Sequence, residues 1–303
     1  MKHDLLQRYV FPEASVRGEM VQLADSYKAI VSKSDYPATV QKLLGEMVAA
    51  ATLLTATLKF KGEISLQIQS KGLIKYAVVD ATDVQGVRGV ARWDDNATNW
   101  PDNFADWFEQ GVLAITISPE KGERYQGLVA LDKPSLAACL EAYFEQSEQL
   151  PTRIRLFVET DVSKQHAAGI LLQVLPTSSA STDASQHEAF NELAVLTDTM
   201  TADEMQTLEA KTLLHRLYHE HDIELYSPHS VTFHCTCSKE RSAQALKNVD
   251  KAELLSIVEE EGSLKMDCQY CHTQYVFDAM DIEAIHAGFA ENLHNGDTNK
   301  PLS

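Results

Sequence analysis

Apolar and polar residues alternate in short runs along the first half of the chain. Ile64, Leu66 and Ile68 stand between polar neighbours, the period of a strand with one buried face. Similar runs cover Ile74 to Val79, Val87 to Trp93, Val112 to Ile117, Tyr125 to Leu131, Ile154 to Glu159 and Gly169 to Leu175. Two stretches follow the helical period instead. After Pro37, a residue suited to a first helical turn, come Val40, Leu43, Leu44, Met47, Ala51, Leu54 and Leu58. Few charges flank them on any side, which predicts a largely buried helix. A second helix is predicted from Ser135 to about Gln149. The mixture predicts an α+β fold, with a mixed α/β N-terminal core domain over residues 1–176.

The pattern changes at Pro176. The run Thr177 to Thr182 is rich in Ser and Thr and opens an acidic helical linker over 177–232. Phe190, Leu193, Leu196 and Met200 form a thin apolar stripe. Thr201-Ala202-Asp203-Glu204 then has the form of a capping box, followed by Met205, Leu208, Leu213, Leu214, Leu217 and Tyr218. Two amphipathic helices packed on the first domain are expected. Between Ala180 and Phe233 ten acidic residues face two basic ones, Lys211 and Arg216. Narrow apolar faces and charge of one sign predict helices only marginally held.

A small domain over 233–290 and a flexible tail over 291–303 complete the expected organisation. Ser238 to Lys247 can be helical, and Asp250 caps a second helix that stops near Gly262. Leu264 to Met266 and Tyr275 to Phe277 have the character of short strands.

Composition narrows the function classes. Hydrophobic residues make up 44% of the 303 and charged residues 23%, an ordinary globular balance. No apolar run reaches the roughly 18 residues of a membrane span, and the start lacks a signal-peptide apolar core, so a cytoplasmic, membrane-free protein is expected. The formal net charge of -18 opposes a nucleic-acid partner, because backbone binding needs a positive surface. The same charge would keep the protein soluble when apolar surface is uncovered.

Five cysteines are present, and four lie between 235 and 271. In a cytosolic chain such cysteines are metal ligands or reactive thiols rather than a disulfide framework. Cys235-Thr236-Cys237 and Cys268-Gln269-Tyr270-Cys271 are separated by thirty residues. Four thiolates complete a closed tetrahedral site, so one Zn²⁺ per reduced chain is expected on Cys235, Cys237, Cys268 and Cys271. His234 and His272 adjoin the pairs as bystanders or supporting groups. Cys139 stands among apolar helix positions and is expected in the core. A unit of fewer than about 60 residues has a marginal core, and metal binding would supply much of its folding energy. Spacing alone favours a passive structural staple. The same thiolates could also be oxidised, as Cys235–Cys237 and Cys268–Cys271, and would then no longer serve as ligands.

At these residues the chain resembles the bacterial 33-kDa chaperonin family, the redox-regulated heat shock protein 33 family. Phe233 to Ser238 with Glu240-Arg241, and Cys268 to Cys271 with Tyr275 and Phe277, carry the likeness most specifically. Thr55 to Phe60, Gly122 to Gly127, Glu148 to Arg153 and Arg216 to Glu220 extend it. The resemblance implies an ATP-independent holdase and not an enzyme, inactive while reduced and zinc-bound. Oxidation combined with unfolding conditions would release zinc, unfold the linker and bring two chains together as a homodimer. Unfolded clients would then bind and later pass to the 70-kDa heat shock chaperone system. Some relatives carry a further cysteine where this chain has Ser242. The absence of a Gly-x-x-x-x-Gly-Lys-Ser/Thr run fits ATP independence. Phe190, Leu193, Leu196, Met205, Leu208, Leu213, Leu214, Leu217 and Tyr218 are the candidate client-binding residues. The competing reading is a thiol–disulfide oxidoreductase, which would place Cys-x-x-Cys at the start of a helix in a thioredoxin-like fold.

Overall fold

The computed structural model describes residues 3–175 and 184–289. The expected boundary at Pro176, the Ser/Thr-rich run after it and the tail 291–303 lie outside the described residues. The chain divides into two units, the first ending at His234 and the second opening at Cys235.

The first unit is built around one helix between two sheets. Its elements run β1 (Leu5–Phe11), β2 (Val16–Leu23), α1 (Asp25–Val31), α2 (Ala38–Ala56), β3 (Gly62–Gln69), β4 (Ile74–Thr82), β5 (Gly86–Trp93), β6 (Val112–Pro119), β7 (Tyr125–Ala130), α3 (Leu136–Tyr143), β8 (Thr152–Glu159) and β9 (His166–Val174). Then follow α4 (Ala184–Asp198), α5 (Ala202–Thr207), α6 (Ala210–Leu217), β10 (Glu224–Leu225), β11 (His229–Ser230) and β12 (Thr232–Phe233). One sheet has the order β10-β1-β2-β9-β8, with β11 also on β1; the other has the order β12-β5-β4-β3-β6-β7. Every pairing is antiparallel except β12 on β5.

The α2 helix is largely apolar around its circumference, with Glu46 a buried exception, because it has neighbours on most sides. It packs on β2, β8 and β9 of the first sheet and on β3, β4 and β5 of the second. Its side chains join Leu6, Val21, Leu23, Ile64, Leu66, Ile68, Val79 and Leu171 in one core. Cys139 is buried in the same core, as expected of a small apolar residue. The predicted second helix forms from Leu136, capped by the Ser135 hydroxyl, and ends in a π turn over Phe144–Glu148.

The first sheet is covered on its other face too. Tyr9, Phe11, Val16, Met20, Ala168, Ile170, Leu172 and Val174 point away from α2 and form a second core with residues of α4, α5 and α6. Strand β9 is consequently buried at every position. The sequence pattern predicted two helices here, and the chain forms three. Leu208 and Glu209 adopt extended backbone and split the second pattern into α5 and α6. The capping box at Thr201 and Glu204 is present as read.

The second unit contains α7 (Lys239–Leu246), α8 (Lys251–Glu261), the hairpin β13 (Leu264–Asp267) and β14 (Gln274–Phe277), and α9 (Ala279–His286). Among the described residues its core has eight buried members: Ala243, Leu246, Leu254, Val258, Tyr275, Phe277, Ile282 and Ile285. Gly262 ends α8 at a positive φ of 81°, a conformation that carries no penalty without a Cβ.

Candidate metal centre and the docked linker

Two local structures present the four sulfurs. Cys235 and Cys237 lie in the extended segment that leads into α7, where the Ser238 hydroxyl caps the helix by accepting from the Arg241 amide. The Arg241 guanidinium folds back and donates to the Thr236 carbonyl at 2.9 Å, which fixes the segment between the two cysteines. Cys268 and Cys271 sit on the turn of the β13–β14 hairpin. The His272 amide donates to the Cys268 carbonyl and the Cys268 amide to the Thr273 carbonyl, with His272 in the left-handed region at φ 59°.

These two pieces bring all four sulfurs within 4.8 Å of one another. The close contacts run across the pairs: Cys235 to Cys268 at 3.7 Å and Cys237 to Cys271 at 3.3 Å. A tetrahedral ion with bonds of about 2.3 Å holds its ligands ~3.8 Å apart, so the donor set fits one thiolate-bound ion. The thiols are half-buried and none is in a disulfide. The neighbouring histidines stand outside the cluster, and the His234 amide instead donates to the Val87 carbonyl.

The environment of the sulfurs is uneven. Burial pushes the Cys235 thiol well above the ordinary range, and it raises Cys237 as well. Burial acts upward on Cys271 too, but hydrogen bonding with Thr273 and with the neighbouring cysteines outweighs it and brings this thiol down to about 7. Thr273 lies 3.2 Å from Cys271, and the Tyr275 hydroxyl donates to Cys237 at 3.1 Å. Both residues follow the turn, and both contacts act toward the ionised, metal-binding form of the sulfurs, against the effect of burial.

A support that the sequence pattern did not reveal is the ion pair Lys239–Asp281. Its atoms are 2.8 Å apart and both side chains are buried. Lys239 opens α7 directly after the first cysteine pair, and Asp281 belongs to the capping box of α9. The Lys239 ammonium also lies 5.3 Å from the centre of the Phe277 ring. The only sequence signal was a lysine and an aspartate at helix starts, which is commonplace.

The nine candidate client-binding residues come together in one place. Phe190, Leu193, Met205, Leu213, Leu214 and Tyr218 are buried, and Leu196, Leu208 and Leu217 are partly buried against them. All nine face the outer side of the first sheet. Polar ties accompany them. The buried Gln22 amide donates to the carbonyls of Met205 and Leu208, at 2.7 and 2.9 Å. Arg155 donates to the Asp198 carbonyl at 2.9 Å and pairs with its carboxylate, while Arg153 approaches the same carboxylate at 3.7 Å.

The fold and the cysteine cluster define a class of protein with a small four-thiol unit following a larger one whose helices α4–α6 cover an apolar sheet face. Comparison with known proteins gives the family. The Hsp33 protein family matches residues 4–278. A 33 kDa chaperonin of Pseudoalteromonas atlantica is 53% identical over 296 residues, covering 97% of this chain and 99% of the relative. One from Shewanella baltica is 50% identical over 287 residues, covering 95% and 97%. The crystal structure of a 33 kDa chaperonin from Thermotoga maritima shares the fold with a TM-score of 0.77, at 22% identity, covering 96% of this chain and all of that one. The chain belongs to the Hsp33 family. Among the described residues no helix is long and apolar enough to cross a membrane.

Proposed function

We infer that the chain is a redox-regulated, ATP-independent holdase that keeps unfolding proteins from aggregating. The observation that carries this is the second core. Half of it is an apolar sheet face and half comes from the helices α4–α6, so undocking the helices would uncover both surfaces at once. A single apolar side chain of this size is worth about 1.5–3 kcal/mol on burial, and the nine linker residues together offer an unfolded client a large contact. The linker charge would keep the complex in solution.

Cys235, Cys237, Cys268 and Cys271 would hold Zn²⁺ in the reduced state. Bound there, the ion supplies folding free energy, on the order of 10–16 kcal/mol in small thiolate sites. With so small a core, the unit depends on that term. Hypochlorite or peroxide takes two electrons for each disulfide formed, and the sulfurs so joined no longer serve as ligands. The small unit then loses its main support, and the adjoining helices would undock. Cytoplasmic location, a homodimer in the active state and hand-over of clients to the 70-kDa heat shock chaperone system complete the proposal.

An aggregation assay with a heat-unfolding client tests the reading. Protein oxidised during mild heating is expected to suppress light scattering at near-stoichiometric ratios, and reduced metal-loaded protein is not. Metal analysis should find one zinc per reduced chain, with loss of tight binding in each single Cys→Ser variant at 235, 237, 268 and 271 and full retention in Cys139→Ser. Equal activity in both redox states, or full-affinity zinc in Cys268→Ser, would contradict it.

A further inference from the structure

The segment between α6 and Cys235 covers the edges of both sheets in the first unit. Residues 224–230 lie antiparallel along β1, pairing Val10 with Glu224, Tyr9 with Leu225, Leu6 with His229 and Leu5 with Ser230. Immediately afterwards Thr232 and Phe233 lie parallel to β5, opposite Gly86 and Val87. Without this strap, β1 and β5 would be the bare edges at that side of their sheets.

The strap is held chiefly by its main chain. The amides of Tyr226 and Val231 donate to the carbonyls of Arg8 and Asp4, and those of Thr232 and His234 donate to the carbonyls of Gln85 and Val87. Gln7 adds a side-chain bond to the Tyr226 carbonyl. Its side chains add a few anchors: Val231 enters the first core, Phe233 packs against that core with the Lys33 ammonium 5.6 Å from its ring, and the Arg8 guanidinium lies 5.6 Å from the Tyr226 ring. From Glu224 to Ser230 every residue is exposed, and Val231 is the one fully buried member of the strap. Along β1 the edge holds its strand mainly through main-chain bonds, which any extended segment can supply. The strands beneath are those an exposed edge makes adhesive. Leu5–Phe11 is LLQRYVF, with high strand propensity, one charge and no proline.

We propose that the β1 and β5 edges are a client-binding surface for extended segments of unfolded polypeptide, and that residues 224–233 occupy them in the resting state as a built-in substitute strand. The proposal rests on the chaperone reading above and assigns a second client surface besides the apolar face under α4–α6. Recognition is through backbone hydrogen bonds, which every unfolded chain offers, so this surface is indifferent to client sequence. The strap runs directly into Cys235, so the thiol pair that oxidation alters is covalently attached to the element that must leave. Leu6, Arg8 and Val10 share the outward direction on β1, since the Arg8 carbonyl accepts from the strap and Leu6 and Val10 lie two residues to either side.

Residue-resolved hydrogen exchange on the full chain tests this, with reduced, carboxymethylated α-lactalbumin as a permanently unfolded client. In the reduced, metal-loaded protein the amides of Val10, Tyr226, Val231 and Thr232 should be protected. Oxidation should speed their exchange at least tenfold, and adding client should restore protection at Val10 but not at Tyr226. The variant Val10→Pro removes an outward N–H from the edge and should weaken client binding by the oxidised protein several-fold. The proposal is overturned if client binds while Val10 stays unprotected, or if the strap keeps its protection while client binds. Protection that returns without client and grows with protein concentration would place a second copy's strap on the edge and also overturns it. If no client binds the oxidised protein at all, the chaperone reading itself fails.

Discussion

At the scale of single residues, the cysteines carry a tension between folded geometry and expected chemistry. The short contacts join Cys235 to Cys268 and Cys237 to Cys271. Oxidation inside an intact unit would therefore favour crossed links. Local links, Cys235 to Cys237 and Cys268 to Cys271, follow when the unit opens before the second disulfide closes, because sequence neighbours then have the highest effective concentration. Peptide mapping after oxidation under mildly unfolding conditions is expected to find the local pairs, and mapping after oxidation in the cold should show a greater share of crossed pairs. Crossed pairs dominating in both conditions would mean that the unit never opens. The ligand positions were legible because metal chemistry leaves a spacing signature. The contacts between the pairs were not, since a turn and a helix start must meet before those distances exist.

At the scale of elements, the smaller unit depends on a few tertiary links. The buried pair of Lys239 and Asp281 joins the helix after the first cysteines to the helix after the hairpin. Removing one partner of such a pair costs about 3–5 kcal/mol, because the other charge stays buried. Lys239→Met is therefore expected to release zinc to a competing chelator at least tenfold faster, and the double variant with Asp281→Leu should recover much of the loss. An unchanged release rate in the single variant would remove the pair from the account. Helices with clear caps and strands with one wet face could be read in advance, as at Thr201, Asp250 and Ile64–Ile68. Strands β1 and β2 could not. Both of their faces are covered, so period-two alternation disappears, and Arg17 and Glu19 interrupt what remains. Burial pushes Glu19 up to about 7, a sign of how little solvent reaches it. The short helix α1 spans seven residues and its own N-cap residue offers no side-chain cap, so neither period nor cap marked it. Helix α9 opens on a capping box of two aspartates, Asp278 and Asp281, a weaker signal than Thr with Glu. The break at Leu208 was hidden for another reason. The carbonyls of Met205 and Leu208 accept there from the Gln22 amide, nearly two hundred residues away.

At the scale of the whole molecule, the central claim is that activity is stored as a docked interface and gated by undocking. The apolar residues of α4–α6 could be read from the sequence, and their expected resting place on the first domain was a sheet face whose strands were only partly recognised. The most direct measurement replaces Leu214 and Leu217 with glutamate, which leaves every cysteine untouched. Leu214 is buried and Leu217 packs beside it, so two buried charges should expel α6 from the sheet. The reduced variant, shown by metal analysis to retain one zinc per chain, is then tested for suppression of client aggregation by light scattering. The account predicts activity approaching that of the oxidised parent without any oxidant. A variant whose linker is undocked by hydrogen exchange, yet which stays inactive until oxidised, would contradict gating by the linker.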